Sequence, residues 1–480
     1  MTAPHLNELN LPSADHREGQ RHTIGSLRLT EHWFTVPATH GLYFGAGKDA
    51  AEGHPAAHET ITVFAREIVD TSDQLTRPVD DRPFMVYLQG GPGAPSPRPT
   101  LDSGWVAHLA KTHRLVLLDQ RGTGNSTPLS SATIATRGDI EAQIRYLELF
   151  RADSIIADAE VVRSFLLADR KDQRWSTMGQ SYGGFLTLSY LSFAPYGLKD
   201  CRITAGLAPI RAHIDQVYQA TYSRMAERNE QYYSWYPEDR ELARTIADFI
   251  GNEEVRMPTG ERLSVQRFQM LGHYLGGNTR AHGLHYVLQS AFAEGPGRLS
   301  EQFLAAVSAD VTHLARPLYA VLHESIYADG PADGSMPGVT GFELSPSPAP
   351  TGWSAARVGA QRPEFSPEAS CLYFTGEHVF PWYFEQDPAL VPLRDLAEAL
   401  AEKDDWGRLY DHRQLAENQV PVAAAAYVPD VYVDYENSMA TARWVKNTAV
   451  WTSATHHHDG LGQDGTLILD HLKNLLADMR

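Results

Sequence analysis

The 480-residue sequence predicts an α/β fold with a mostly parallel sheet, split by a large helical insertion. Three observations predict it. Short apolar runs without polar alternation, FMVYL (Phe84–Leu88) and RLVLLD (Arg114–Asp119), suit strands covered on both faces. Strand-like and helix-like stretches alternate as far as Pro209, the order a parallel sheet requires. From about Ile210 to Arg408 helical periodicity dominates, and sheet-like sequence then returns.

In order along the chain, the first 20 residues are polar and are expected to fray. β-rich stretches follow at residues 23–35 and from Glu59 (ETITVFAREIV), with a Gly/Ala/His-rich loop at 45–58 between them. FMVYL ends in the turn QGGPG, and RLVLLD ends in QRGTGNS. Residues 139–168 read as helical, because Ile144, Leu147, Phe150, Ile155, Ala159, Val162, Phe165 and Leu166 recur at helical spacing. WSTMGQSYGGFLTLSYLSFAP, from Trp175, reads as a strand, a glycine-flanked turn and a helix, and CRITAGLAP, from Cys201, as another strand. The domain reading is therefore a core at 1–209, a helical cap at 210–410 and the rest of the core at 411–480. Within the cap, the Pro/Ser/Gly-rich residues 329–352 read as a long loop. VPVAAAAYVPD (420–430) and NTAVWTSATHHHDG (447–460) restore the sheet, and TLILDHLKNLLADM reads as a terminal amphipathic helix.

Composition narrows the function classes. Hydrophobic residues are 42% and charged residues 21%, an ordinary globular balance, and the formal charge is −18. Such acidity disfavours sequence-independent binding to nucleic acid or to an anionic membrane. No apolar run approaches the roughly 20 residues of a membrane span, and the start lacks the basic and apolar regions of a signal peptide. The expected location is the cytoplasm. Cys201 and Cys371 are too few for a disulfide framework and are expected to be two buried thiols.

The strongest motif is Gly179-Gln180-Ser181-Tyr182-Gly183, a G-x-S-x-G turn between strand and helix. Its glycines permit a sharp turn that lifts the Ser181 hydroxyl from the sheet, and the helix behind it points N–H groups at a developing oxyanion. A serine hydroxyl needs a base and an orienting acid, which in this arrangement follow in the order Ser, Asp/Glu, His. Asp430 stands just past VPVAAAAYV and His458 just past NTAVWTSAT. Asp434 is a rival acid, and His456 and His457 are rival bases. A metal reading of the three histidines is weak, because successive side chains on an extended chain point to alternate sides. The oxyanion donors are expected to be the Tyr182 N–H and one from Gly90, Gly91 or Gly93, with Gly91 preferred; Pro92 has no N–H.

Three further motifs fail on spacing. RGTGNS does not complete G-x-G-x-x-G, His323-Glu324 has no second histidine at zincin spacing, and Gly45–Lys48 lacks P-loop spacing.

LQGGPG, LDQRGTGNS, GQSYGG and the late HDGL together resemble the prolyl aminopeptidase (proline iminopeptidase) family, α/β-hydrolase-fold serine exopeptidases, in its larger form with a long cap. The resemblance runs from about Phe34 onward and includes LHESIY, TGEHVFPW and YVPDVYVD. Gln89 replaces the histidine of the smaller form's HGGPG, as in the larger form, whereas THHHDG departs from the usual lead into the histidine; the HDGL alignment selects His458. The resemblance implies an α/β-hydrolase fold and release of an N-terminal residue, preferably proline, from short peptides with a free N-terminus, without metal or cofactor. It implies Glu324 and Glu377 as carboxylates that hold the substrate amine. Tyr182, Phe380 and Trp382 could wall a pocket for a pyrrolidine ring. The alternatives are a tripeptidyl aminopeptidase or another amidase or esterase with the same triad, and a non-catalytic protein of the same fold.

Overall fold

A computed structural model of the chain describes residues 15–40, 54–73, 78–331 and 346–479. Among these, nine strands form one sheet: β1 (Asp15–Ile24), β2 (Leu27–Pro37), β3 (Thr60–Asp70), β4 (Phe84–Leu88), β5 (Arg114–Asp119), β6 (Trp175–Gln180), β7 (Leu198–Thr204), β8 (Val422–Tyr427) and β9 (Thr448–Ser453). Their spatial order is β1-β2-β3-β5-β4-β6-β7-β8-β9. β1, β2 and β3 pair antiparallel, as do β3 and β5, and from β5 to β9 every pairing is parallel.

The apolar runs lie where their composition directs them. Every residue of β4 and of β8 is buried. On β4, Phe84, Val86 and Leu88 join the core under one face of the sheet, while Met85 and Tyr87 join the cluster on the other. That is the period-two alternation of a strand with helices on both sides. The Ala152–Leu166 and Tyr182–Phe193 helices bury against the first face, and the Gly104–Ala110 and Gly460–Asp478 helices against the second.

Three expectations are corrected. The N-terminal residues do not all fray: from Asp15 they form β1, whose polar and mostly exposed sequence DHREGQRHTI suits a sheet edge. The single helix over 139–168 is two, Ile140–Glu148 and Ala152–Leu166, with Arg151 at the cap of the second. Cys201 is buried, but Cys371 is only half-buried, with its sulfur 2.9 Å from the Arg240 guanidinium. The loops expected at 45–58 and 329–352 lie largely outside the described residues.

Between β7 and β8 the described residues contain no strand of the sheet and run through helices from Ile214 to Ala416. Their apolar side chains are continuous with the core under the first sheet face, so the cap and the core share one interior. Arg151 reinforces the join. Its buried guanidinium donates to the carbonyls of Ser325 (2.8 Å) and Ala328 (2.5 Å), and lies 4.3 Å from the Trp406 ring. No described helix is long and apolar enough to cross a membrane.

RGTGNS is a structural clamp. The Asp119 carboxylate accepts from Ser96 N, Ser96 Oγ, Arg98 and Asn125 N. Arg121 forms a two-point pair with Asp158 (2.7 and 2.6 Å) and donates to the carbonyls of Ala38 and Leu149. Fully paired in this way, these buried charges hold the β5 turn against its surroundings.

Candidate active site

The parallel strands put their C-terminal ends on one edge of the sheet, the edge where open α/β sheets place their sites. Ser181 follows β6 directly and precedes the Tyr182–Phe193 helix. Its φ of 57° and ψ of −127° lie in a region that side-chain-bearing residues rarely adopt. Such a residue costs about 1–3 kcal/mol and persists where its surroundings fix it. Here Ser181 N donates to Thr204 O (3.1 Å), and Gly184 N donates to Ser181 O (2.7 Å). The motif glycines are needed for contact. A Cβ on Gly183 would lie 1.8 Å from Leu88 O, and one on Gly179 would lie 2.3 Å from Gly183 O.

Ser181, His458 and Asp430 form one hydrogen-bonded chain. His458 Nε2 is 2.9 Å from Ser181 Oγ, and His458 Nδ1 is 2.9 and 3.1 Å from the two Asp430 oxygens. A carboxylate only accepts, so Nδ1–H donates to Asp430 and Nε2 is left to accept from the serine hydroxyl. Asp430 is fully buried and also accepts from the N–H groups of Tyr432 (2.9 Å) and Val433 (3.1 Å). Burial disfavours the charged His458 ring, but Asp430, by charge and hydrogen bond, outweighs it and holds the pKa above the ordinary 6.5.

Asp434 and His456 are engaged elsewhere, and His457 is set apart by its environment. Asp434 caps the Tyr435–Trp444 helix, accepting from Asn437 N. His456 joins Ser453 and Asp464. Burial and the Arg228 charge push His457 down to about 4. Among the described residues no group of three or more His, Cys, Asp or Glu is placed to hold a metal ion.

The QGGPG loop lies against the serine: a Cβ on Gly90 would come 2.9 Å from Ser181 Cβ. Gly91 has a φ of 135°, which a glycine adopts without penalty. Gln120 Nε2 donates to Gln89 O at 2.8 Å and anchors the loop from the neighbouring strand turn. Tyr182 is the first residue of its helix, where an N–H has no intrahelical acceptor.

Both cap glutamates are drawn toward the same interior. Glu377 is half-buried, and its carboxyl pKa is raised by burial and by the Asp430 charge, with His458 acting oppositely. Its loop is tied to the other glutamate's loop by His323 Nε2–H, which donates to Glu377 O at 3.1 Å. Glu324 is buried with a raised pKa, chiefly through burial; its Oε1 accepts from Ala355 N at 2.9 Å, and among the described residues its Oε2 has no hydrogen-bond partner. Tyr218 and Tyr327 both lie within the fields of the two carboxylates, and the buried Tyr218 hydroxyl also has no hydrogen-bond partner among the described residues. Phe380 and Trp382 stack on each other at 5.4 Å, and their other ring contacts run to His378 and Tyr383. The ring packed on His458 is Tyr432, at 5.0 Å, and Tyr182 packs on Phe185 and through it on Tyr327.

Sequence reasoning missed Gln120, Tyr218, Tyr327 and Tyr432. YVPDVYVD places Tyr432 two residues past Asp430, a signal that could have been used. Gln120 and Tyr327 likewise stand inside LDQRGTGNS and LHESIY, whereas nothing local marks Tyr218.

The site can polarise a serine hydroxyl, receive an oxyanion on backbone N–H groups and present a buried and a half-buried carboxylate to a cation. The family model described as "alpha/beta hydrolase fold" matches residues 83–233. A proline iminopeptidase from Aeromonas sobria is 38% identical over 95% of this chain and 98% of its own length. Proline iminopeptidase aneH from Aspergillus aculeatus is 34% identical over 95% of each. Among solved structures, a proline iminopeptidase from Mycobacterium smegmatis aligns with 87% of this chain and 96% of its own, at 13% identity and a TM-score of 0.38.

Proposed function

The chain belongs to the proline iminopeptidase family of α/β-hydrolase-fold proteins, and from that premise we propose that it is a serine exopeptidase releasing an N-terminal residue, preferably proline, from short peptides. The observation that carries this reading is the Ser181–His458–Asp430 chain of hydrogen bonds, with Glu377 close enough to act on the His458 charge.

The substrate amine docks on Glu377, with Glu324 as its second carboxylate, by charge-assisted hydrogen bonds. A carboxyl whose pKa burial has raised gains most from a cation, because the cation restores the stabilisation of the charged form that water no longer gives. His458 accepts the Ser181 proton as Oγ attacks the carbonyl carbon of the first residue. The N–H groups of Tyr182 and Gly91 hold the oxyanion, a contribution of about 3–4 kcal/mol per donor in comparable sites. His458 then protonates the departing amine, and water, activated by the same imidazole, releases the first residue from Ser181. Asp430 orients the ring and steadies the imidazolium.

The test is turnover of prolyl, alanyl, phenylalanyl, N-acetyl-prolyl and tripeptidyl amides. The free prolyl amide is expected to be cleaved fastest and the N-acetyl form not at all, because acetylation removes the charge that the carboxylates hold. Equal cleavage of the acetylated and free forms would contradict the exopeptidase reading. Cleavage of the tripeptidyl amide alone would move the specificity and keep the triad.

A further inference from the structure

We propose that the chain carries a second ligand site, for a small organic polyanion, at the end of the sheet opposite Ser181. A cavity of about 460 Å³ opens there, within the size range of small-molecule sites. Its walls come from residues at the start of β6 and β7, the Gly104–Ala110 helix with the turn after it, and the outer half of the Gly460–Asp478 helix.

The charge of this cavity runs against the rest of the molecule. The chain has a formal charge of −18 and only seven lysines. Three of them, Lys111, Lys199 and Lys473, line this one cavity, where an even scatter would put fewer than one. The cavity's other charges are already engaged: Arg202 pairs with Asp200 at 2.7 Å, and Asp470 faces the His108 ring at 3.2 Å. Lys111 and Lys199 lie in the fields of Asp70 and Asp172, outside the cavity lining. Among the described residues, none of the three ammonium groups has a carboxylate at ion-pair distance.

Three lysines from three elements on one cavity wall suit a ligand with several anionic oxygens, because each ammonium is a compact charge with three rotatable donors. The floor adds a second requirement. Leu109, Leu469 and Leu476 are buried there, so an organic body gains from contact that a bare ion does not. The chemistry is that of a phosphorylated small molecule with an apolar or aromatic body.

The test uses the full-length protein at low salt, titrated calorimetrically with ATP, inorganic tripolyphosphate and adenosine. ATP is expected to bind one to one with a Kd below about 100 μM, and tripolyphosphate about tenfold or more weakly. Adenosine should give no heat. In the triple variant Lys111→Ala, Lys199→Ala, Lys473→Ala, ATP binding should weaken by about 30-fold or more, while prolyl-amide turnover and the melting temperature stay as in the wild type. Absence of ATP binding at about 1 mM, tripolyphosphate binding as tightly as ATP, or unchanged binding in the triple variant would overturn the proposal.

Discussion

The core and the cap hold their candidate residues by different means. In the core, Ser181, Asp430 and His458 stand just beyond the ends of β6, β8 and β9, so the parallel register of the sheet sets their separation. In the cap, Glu324 opens a three-residue turn of 3₁₀ helix, and Glu377 lies in a stretch without regular structure. Side chains from distant segments fix that stretch. His378 accepts from Gly376 N (3.2 Å) and donates to Thr221 Oγ1 (3.0 Å), while the Tyr222 ring stacks on it at 3.9 Å. Burial pushes His378 down to about 3, so it keeps this neutral, one-donor, one-acceptor role across physiological pH. On the proposed function, the contrast is a division of labour: the sheet would build the chemistry, and a web of long-range side-chain contacts the selection.

The largest effect should come from the core. Ser181→Ala is expected to lower kcat by about 10⁴-fold or more. Because the substitution keeps the Cβ and the backbone, the melting temperature should stay within a few degrees. Substantial remaining turnover would break the assignment of chemistry to the sheet edge.

The join between the regions comes next. Arg151→Met removes the guanidinium that holds the Ser325 and Ala328 carbonyls, and leaves both acceptors buried. A loss of about 3 kcal/mol in stability is expected, measured by urea denaturation. The loop that carries Glu324 should loosen, so KM should rise more than kcat falls. Unchanged stability and KM would show that the cap does not depend on this clamp.

The pH dependence is smaller and sharper. The base acts only when neutral, and Asp430 holds the His458 pKa above 6.5. Activity should therefore fall as pH drops through a midpoint above 6.5, read as the acid limb of kcat/KM. Three other histidines of the cap, His273, His323 and His378, are pushed by desolvation down to about 3, 4 and 3, and should add no limb between pH 5 and 8. A limb centred near 5 would contradict this account of the His458 environment.

The same division governs what could be read from the sequence. The Ser181 turn was legible because its glycines and apolar flanks are local. Asp430 and His458 were legible because strand ends can be seen in apolar runs. Strand pattern alone could not separate His456, His457 and His458; the HDGL resemblance selected His458, and the packing of Ser453, Asp464 and Ser181 around the three rings shows the physical difference. Asp434 has the signature of a helix cap only once the helix behind it is known. β1 was missed because an exposed edge strand has no apolar face to announce it. Arg151 and Tyr218 were invisible because their partners lie elsewhere in the chain: the carbonyls that Arg151 holds are more than 170 residues away. The cap glutamates came from resemblance alone, because a glutamate among mixed polar residues carries no local mark.

The most direct test of the division is Glu377→Gln, assayed in two ways on the same preparation: kcat/KM for a free prolyl amide, and the rate of Ser181 labelling by a small fluorophosphonate that carries no amine. The account predicts that kcat/KM falls by about 100-fold, the worth of a charge-assisted hydrogen bond, while labelling stays within about threefold of the wild type. A parallel fall in both would place Glu377 in the service of the triad, and no fall in either would remove the cap carboxylate from substrate selection.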